Sequence, residues 1–271
     1  MKLENLVVSL TYQSLTTKNI KNMTIQDIKT IAPAIFSTSA DPKMSNKYSF
    51  VPTIELMENF TNEGWQLASV KQNGKGAYGV HELRFRNGEL PAVGDTLVEA
   101  IVRNSHNGTT ALTVGAGLFR LVCSNGLVVP TSTAEQFTVR HMGFDSDEVK
   151  RLTESFAKKL PLIQNSVDKM MDRMLTEGEK IEFAKNASII KWGMGSVPAT
   201  LNLEQLITPQ RIEDSKDDLW TTFNVIQEKF IRGGVDYKSN NGRKTSLKGL
   251  KNIMASNQMN TKLWTLAETL V

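Results

Sequence analysis

This chain is expected to be an α+β protein, with an antiparallel β-meander packed on helices and then a mainly helical C-terminal part. Three observations carry that expectation. Residues 65–71, 77–86 and 96–104 read as strands, with Asn-Gly turns at Asn73-Gly74, Asn87-Gly88 and Asn107-Gly108. Before these strands, and again beyond Phe144, apolar residues recur at helical spacing. The composition, 40% hydrophobic and 22% charged over 271 residues, is that of an ordinary globular chain long enough to bury a core without staples. The expected parts are an N-terminal segment with a short helix and loop (1–47), an α+β sheet core (48–143) and a helical region (144–271).

Along the chain, Thr24 precedes Ile25, Ile28 and Ile31, with Pro33 as a stop, so a short capped helix is expected there. Residues 37–47 (STSADPKMSNK) are dense in turn formers and read as a loop. A second helix begins near Pro52 or Thr53, with apolar positions Ile54, Met57 and Phe60 and Gly64 as a left-handed C′ residue. In the second strand Tyr78, Val80, Glu82, Arg84 and Arg86 share one parity, and Gly79, His81, Leu83 and Phe85 the other. One face is charged and the opposite one apolar, the pattern of a half-exposed sheet. Residues 111–129 (ALTVGAGLFRLVCSNGLVV) favour a strand and then a short helix, because Leu118, Leu121 and Val122 have helical spacing. A long buried strand ending in an Asn125-Gly126 hairpin is the alternative.

Ser146, Asp147 and Glu148 start the next helix. Its apolar stripe runs through Val149, Leu152, Phe156, Leu160, Ile163, Val167, Met170, Met171 and Met174, with a kink expected at Pro161. Helices over 179–192, ended by Gly193 and Gly195, over 217–230 and over 260–270 complete the set. Between the last two lies the polar, basic segment 231–251.

Several chemistries are unsupported. Cys123 is the only cysteine, so a disulfide within the chain and a multi-cysteine metal site are impossible. His81, His106 and His141 are the only histidines, too few for a histidine-rich metal site. No window approaches the ~20 apolar residues of a membrane span, and the start MKLENLVVSL is unlike a secretory signal, so a cytoplasmic protein with no membrane partner is expected. Gly74 to Gly79 matches G-x-G-x-x-G, but it sits between two strands, whereas a dinucleotide site needs a strand and then a helix. Residues 241–245 (NGRKT) lack the upstream glycine and the Gly-Lys adjacency of a phosphate-cradling NTPase loop. Asp145, Asp147 and Glu148 read as favourable helix-start charges rather than a metal cluster. Neither His106 with Cys123 nor His81 with Glu82 makes a catalytic constellation. No cofactor, metal or catalytic residue is assigned, and the protein reads as a non-enzyme.

The cations carry the functional reading. The balance is mildly basic, +4 at neutral pH, which permits a polyanionic partner without requiring one. Lys71, Lys75 and Tyr78 at the first hairpin offer charge and a stacking ring. Arg84, Arg86, Arg103, Arg120 and Arg140 recur across the sheet segments and would form a phosphate-binding stripe if they shared a face. The competing reading of these arginines is a solvated face paired to Glu82, Glu89 and Glu99. In the basic arm, Arg232, Lys238, Arg243, Lys244, Lys248 and Lys251 read equally as phosphate contacts or as a solvated loop, with Gly233 and Gly234 allowing close backbone approach.

Residues 48–65 (YSFVPTIELMENFTNEGW), 102–129 (VRNSHNGTTALTVGAGLFRLVCSNGLVV), 218–234 (DLWTTFNVIQEKFIRGG) and 260–270 (NTKLWTLAETL) resemble, in order, the phage- and plasmid-borne family catalogued as domain of unknown function 932. That resemblance implies a mobile-element origin and action in a bacterial host, and it supplies no catalytic residues. The order of elements is also similar in layout to phage single-strand annealing proteins of the Red-beta and RecT groups, which bind single-stranded DNA and form rings or filaments. The expectation is therefore a protein that binds single-stranded DNA, or RNA, without strong sequence preference, assists annealing or recombination, and forms a homo-oligomer. Tyr78 and Tyr237 would stack on bases. The alternative is a module that occupies a host protein, with Met170, Met171 and Met174 as an adaptable helical surface.

Overall fold

The computed structural model describes residues 23–90, 92, 96–120, 125–128, 137–138, 146–239 and 241–271. The chain divides into two compact units. The first holds α1 (Ile25–Ile31), α2 (Thr53–Asn62), β1 (Trp65–Gln72), β2 (His81–Asn87), most of β3 (Thr96–Asn104) and β4 (Thr113–Arg120), β6 (Phe137–Thr138) and the start of α3 (Ser146–Asp172). The second holds β5 (Asn125–Val128) and the chain from Leu160 onward. Its elements are α4 (Glu177–Trp192), α5 (Leu203–Ile207), α6 (Leu219–Arg232), β7 (Gly233–Lys238), β8 (Lys244–Lys248) and α7 (Ile253–Glu268). The architecture is α+β, as the residue pattern predicts.

In the first unit, α1 starts where Thr24 and Asp27 form a reciprocal capping box and stops at Pro33, which opens a single 3-10 turn. α2 ends at Glu63, and Gly64 follows at φ 81°, the left-handed residue such an end needs. β1, β2, β3 and β4 lie side by side in sequence order, and β6 pairs antiparallel with β4. β1 and β3 flank β2 antiparallel, in a register that sets Lys71 opposite Glu82, Glu82 opposite Arg103 and Arg86 opposite Glu99. The apolar face of β2 meets α2, where Phe60 stacks on Phe85 at 4.6 Å and meets Trp65 edge-on at 5.8 Å.

A buried polar cluster pins the N-terminus of α2 to this face. The Thr53 hydroxyl lies 2.8 Å from His81 Nε2 and accepts from Asn104 Nδ2 at 3.1 Å, while Asn104 Nδ2 also donates to Val51 O. His81 Nδ1 donates to Gly79 O, and in the neutral ring that burial favours Nε2 is left to accept from the Thr53 hydroxyl. Full burial lowers the His81 pKa to about 4, with the neighbouring His106 adding to the shift and the Gly79 hydrogen bond opposing it.

Several local expectations change. β2 starts at His81 rather than residue 77, because residues 73–79 are held as a connection: the Gln72 amide donates to Gly76 O, and Asn73 N donates to Val80 O. Where a short helix was expected, β4 continues as strand to Arg120, and Asn125-Gly126 opens β5. Residues 121–124, with Cys123, lie outside the described residues, as do Arg140, His141 and Asp145. α3 begins at Ser146 as expected and carries Pro161 within one helix.

The second unit is built on α6, in which every residue from Leu219 to Phe230 is buried. A helix buried all round needs partners for its polar groups. Asp218 caps it through Thr221 N, Gln227 Nε2 donates to Asn260 Oδ1 of α7 at 2.8 Å, and Lys229 Nζ donates to Gln205 O and Thr208 O. Trp220, Phe223 and Trp264 form the aromatic centre between α6 and α7. The segment 231–251, which carries no strand expectation in the sequence, is a two-stranded antiparallel hairpin.

Candidate nucleic-acid interface

The hairpin grows straight out of α6. Gly233 is both the cap of the helix and the first residue of β7, at φ 87°. A Cβ there would sit 2.3 Å from Leu247 O, and one on Gly249 would sit 2.6 Å from Arg232 O, so two glycines permit the strands to cross at the root. Leu250 N donates to Ile231 O at 2.9 Å and closes that root. At the tip Gly242 has φ 75° and its N–H reaches Ser239 O at 2.8 Å.

The pairing decides what the hairpin presents. Tyr237 faces Thr245 and Lys238 faces Lys244. Side chains alternate along a strand, so Val235, Tyr237, Thr245 and Leu247 share one face, on which Val235 and Leu247 are buried. The other face carries Asp236, Lys238, Lys244, Ser246 and Lys248, and Arg243 stands at the turn. Lys238, Arg243, Lys244, Lys248 and Lys251 are exposed, and none of them forms an ion pair among the described residues. Two lysines directly opposite each other repel; here that repulsion is kept on the solvent face. An open groove of about 640 Å³ runs beside this ribbon, lined by Thr200, Asp236, Tyr237, Lys238, Lys244 and Thr245. The Thr200 hydroxyl both donates to Lys238 O at 2.7 Å and accepts from Lys238 N at 2.8 Å, fixing β7.

Arg232 stands apart from this set. It is ion-paired with Glu228 at 3.3 Å, and Glu228 also takes both Nη atoms of Arg211 at 2.6 and 2.7 Å. Its side chain is exposed at the root, but its charge is shared with Glu228 there.

Burial and pairing do not leave Arg84, Arg86 and Arg103 as the expected open stripe. Parity places Glu82, Arg84, Arg86, Glu99 and Arg103 on one face as read, but the centre of that face is buried: Glu82, Arg84, Glu99 and Arg103 are 2%, 4%, 1% and 9% exposed. Buried charges need partners. Arg84 donates to Glu82 and to Glu99 at 3.0 Å each, Arg86 donates twice to one Glu99 oxygen at 2.9 and 2.8 Å, and Arg103 lies 3.8 Å from Glu82. Burial alone would lower the Arg84 pKa, but Glu82 and Glu99 reverse this and raise it above its ordinary value. Burial lowers Arg103 more than Glu82 raises it, with Arg84 adding to the loss. Pairing with Glu82 and Glu99 is correct; Glu89, at the turn after β2, is not part of this ladder. Arg84, Arg86 and Arg103 are structural ion pairs and offer no track to a phosphate chain.

Lys71, opposite Glu82 at the edge of the ladder, is exposed; neighbouring protein and Arg84 lower its pKa while Glu82 and Glu99 pull it back. Lys75 is exposed in the β1–β2 connection, and Tyr78 is half-buried with its carbonyl accepting from His106 N at 3.0 Å. Arg120 ends β4. Of the methionines expected on an adaptable surface, Met170 is core, Met171 is half-buried and Met174 is exposed. Among the described residues no cluster of His, Cys, Asp or Glu could hold a metal ion, and no helix is long and apolar enough to cross a membrane. Sequence reasoning missed Thr200 and the groove, because nothing local connects residue 200 to residue 238.

Fold and surface together define an α+β protein that displays an exposed basic β-ribbon on a helical unit. The chain belongs to the family described as Domain of unknown function (DUF932), whose model matches residues 43–264. It is 31% identical over 257 residues to the UPF0380 protein YafZ of Escherichia coli (strain K12), covering 92% of each chain, and equally to the UPF0380 protein YfjQ of the same organism. No solved structure matches.

Proposed function

We propose that this protein binds single-stranded nucleic acid without strong sequence preference, through the outer face of the β7–β8 hairpin, and so assists annealing or recombination of mobile-element DNA. One observation carries the reading: Lys238, Arg243, Lys244 and Lys248 are exposed on one ribbon with no acid neutralising them among the described residues. Spacing along a strand is about 3.3 Å per residue, so the ribbon offers its cations at intervals that a flexible phosphate chain can follow. Such contacts neutralise backbone charge and carry no sequence information. Neutralising two strands also removes the repulsion that keeps them apart, which is all that annealing demands of a protein. Tyr237 lies on the opposite face of β7 but lines the groove at the ribbon's side, so a base that turns into that groove meets its ring.

Titrating a labelled single-stranded oligonucleotide with the intact protein at low salt tests this directly, read by fluorescence anisotropy. Saturable binding is expected. Absence of binding at low salt overturns the reading.

A further inference from the structure

The loop that follows α4 runs through Gly193-Met194-Gly195, and Met194 is 86% exposed. An exposed methionine by itself carries nothing, because single apolar residues on surfaces are common. Its position is what matters. Both ends of the loop are fastened to β7: the Trp192 ring meets the Tyr237 ring edge-on at 5.9 Å, and the Thr200 hydroxyl is hydrogen-bonded in both directions to the Lys238 backbone. Met194 is two residues from Trp192, so its Cα lies within about 7 Å of that of Trp192. Gly193 and Gly195 have φ +90° and +77°, conformations that L side chains rarely adopt, and they make the tight path that holds the methionine outward. An apolar tip is thereby tethered, through Trp192 and Thr200, to the strand that carries Lys238.

We infer that Met194 is a base-contacting residue: the hairpin lysines hold the phosphates of a single strand, and the 193–200 loop sets the methionine against an unstacked base. Apolar wedges of this type insert between bases in other nucleic-acid complexes. This rests on the reading of the hairpin as a nucleic-acid surface, and the two fail separately.

The test compares wild type with Met194→Ala and Met194→Phe on three probes: a single-stranded oligonucleotide, an abasic oligonucleotide of the same length, and anionic phosphatidylserine vesicles. Met194→Ala is expected to weaken the base-bearing strand about fivefold, the loss that follows from withdrawing a partly buried apolar side chain, with no change on the abasic strand. Met194→Phe is expected to restore or tighten binding. An equal loss on both strands, or no loss on either, overturns the inference while leaving the hairpin reading intact. A loss confined to vesicles overturns it in favour of a lipid surface. If wild type binds neither oligonucleotide, the hairpin reading falls with it. Unchanged thermal midpoints establish that the exposed substitution has not disturbed the fold.

Discussion

Replacing both lysines of the facing pair, Lys238→Gln with Lys244→Gln, separates a binding surface from a solvated loop. Affinity for single strands falls with salt at a log–log slope of about −0.7 per phosphate neutralised. Four ribbon cations, Lys238, Arg243, Lys244 and Lys248, then give a slope of about −2.8, or about a 50-fold loss of affinity between 50 and 200 mM salt. Removing two of them should halve the slope to about −1.4, and the same salt step should then cost only about sevenfold. The variant should at the same time be no less stable. Lys238 and Lys244 are register partners, and relieving a like-charge cross-strand pair is worth a few tenths of a kcal/mol. Anisotropy titrations over a salt series give the slope, and thermal unfolding gives the stability. An unchanged slope would remove the ribbon from the binding surface. A reduced slope accompanied by a lower midpoint would mean that the loss came from unfolding.

Two further predictions test the sheet. Glu99→Gln leaves the buried Arg84 and the half-buried Arg86 without the carboxylate that holds both; loss of one partner from a buried ion pair costs about 3–5 kcal/mol, so a large drop in thermal midpoint is expected, while the oligonucleotide salt slope stays that of wild type. His81 is neutral in the fold, with its pKa lowered to about 4 from an ordinary 6.5. The unfolded chain therefore takes up a proton between pH 6.5 and 4 that the folded chain refuses, and stability falls across that window by on the order of 3 kcal/mol. Urea unfolding at pH 7, 5.5 and 4.5 reads the trend, and His81→Gln should flatten it; an unflattened profile would place the acid sensitivity elsewhere.

The elements with local signals are legible before any coordinates. Thr24 and Pro33 bound the first helix, Gly64 ends the second, Ser146 opens the third and Gly193 closes the fourth, because caps and stops act over three or four residues. The hairpin was missed although Val235, Tyr237, Thr245 and Leu247 alternate with polar residues around a Gly242 turn; with two short strands and many lysines, the charge masks the period. At Leu118 the structure takes the alternative, a longer strand, over the favoured helix, because a short apolar run fits a helix and a strand equally.

Parity along β2 and β3 correctly groups Glu82, Arg84, Arg86, Glu99 and Arg103 on one side of the sheet. It cannot say whether that side meets water, because burial depends on the folded surroundings and leaves no mark on the strand itself. The same limit hides the facing of Lys238 and Lys244, the bond from Thr200 to Lys238 and the tether of the Met194 loop. The kind and extent of most helices, the family and the modest excess of cations were written in the order of residues, through short-range chemistry. Which cations are spent on internal acids and which remain for a partner is set by contacts between residues far apart in the chain, and these exist only once it has folded.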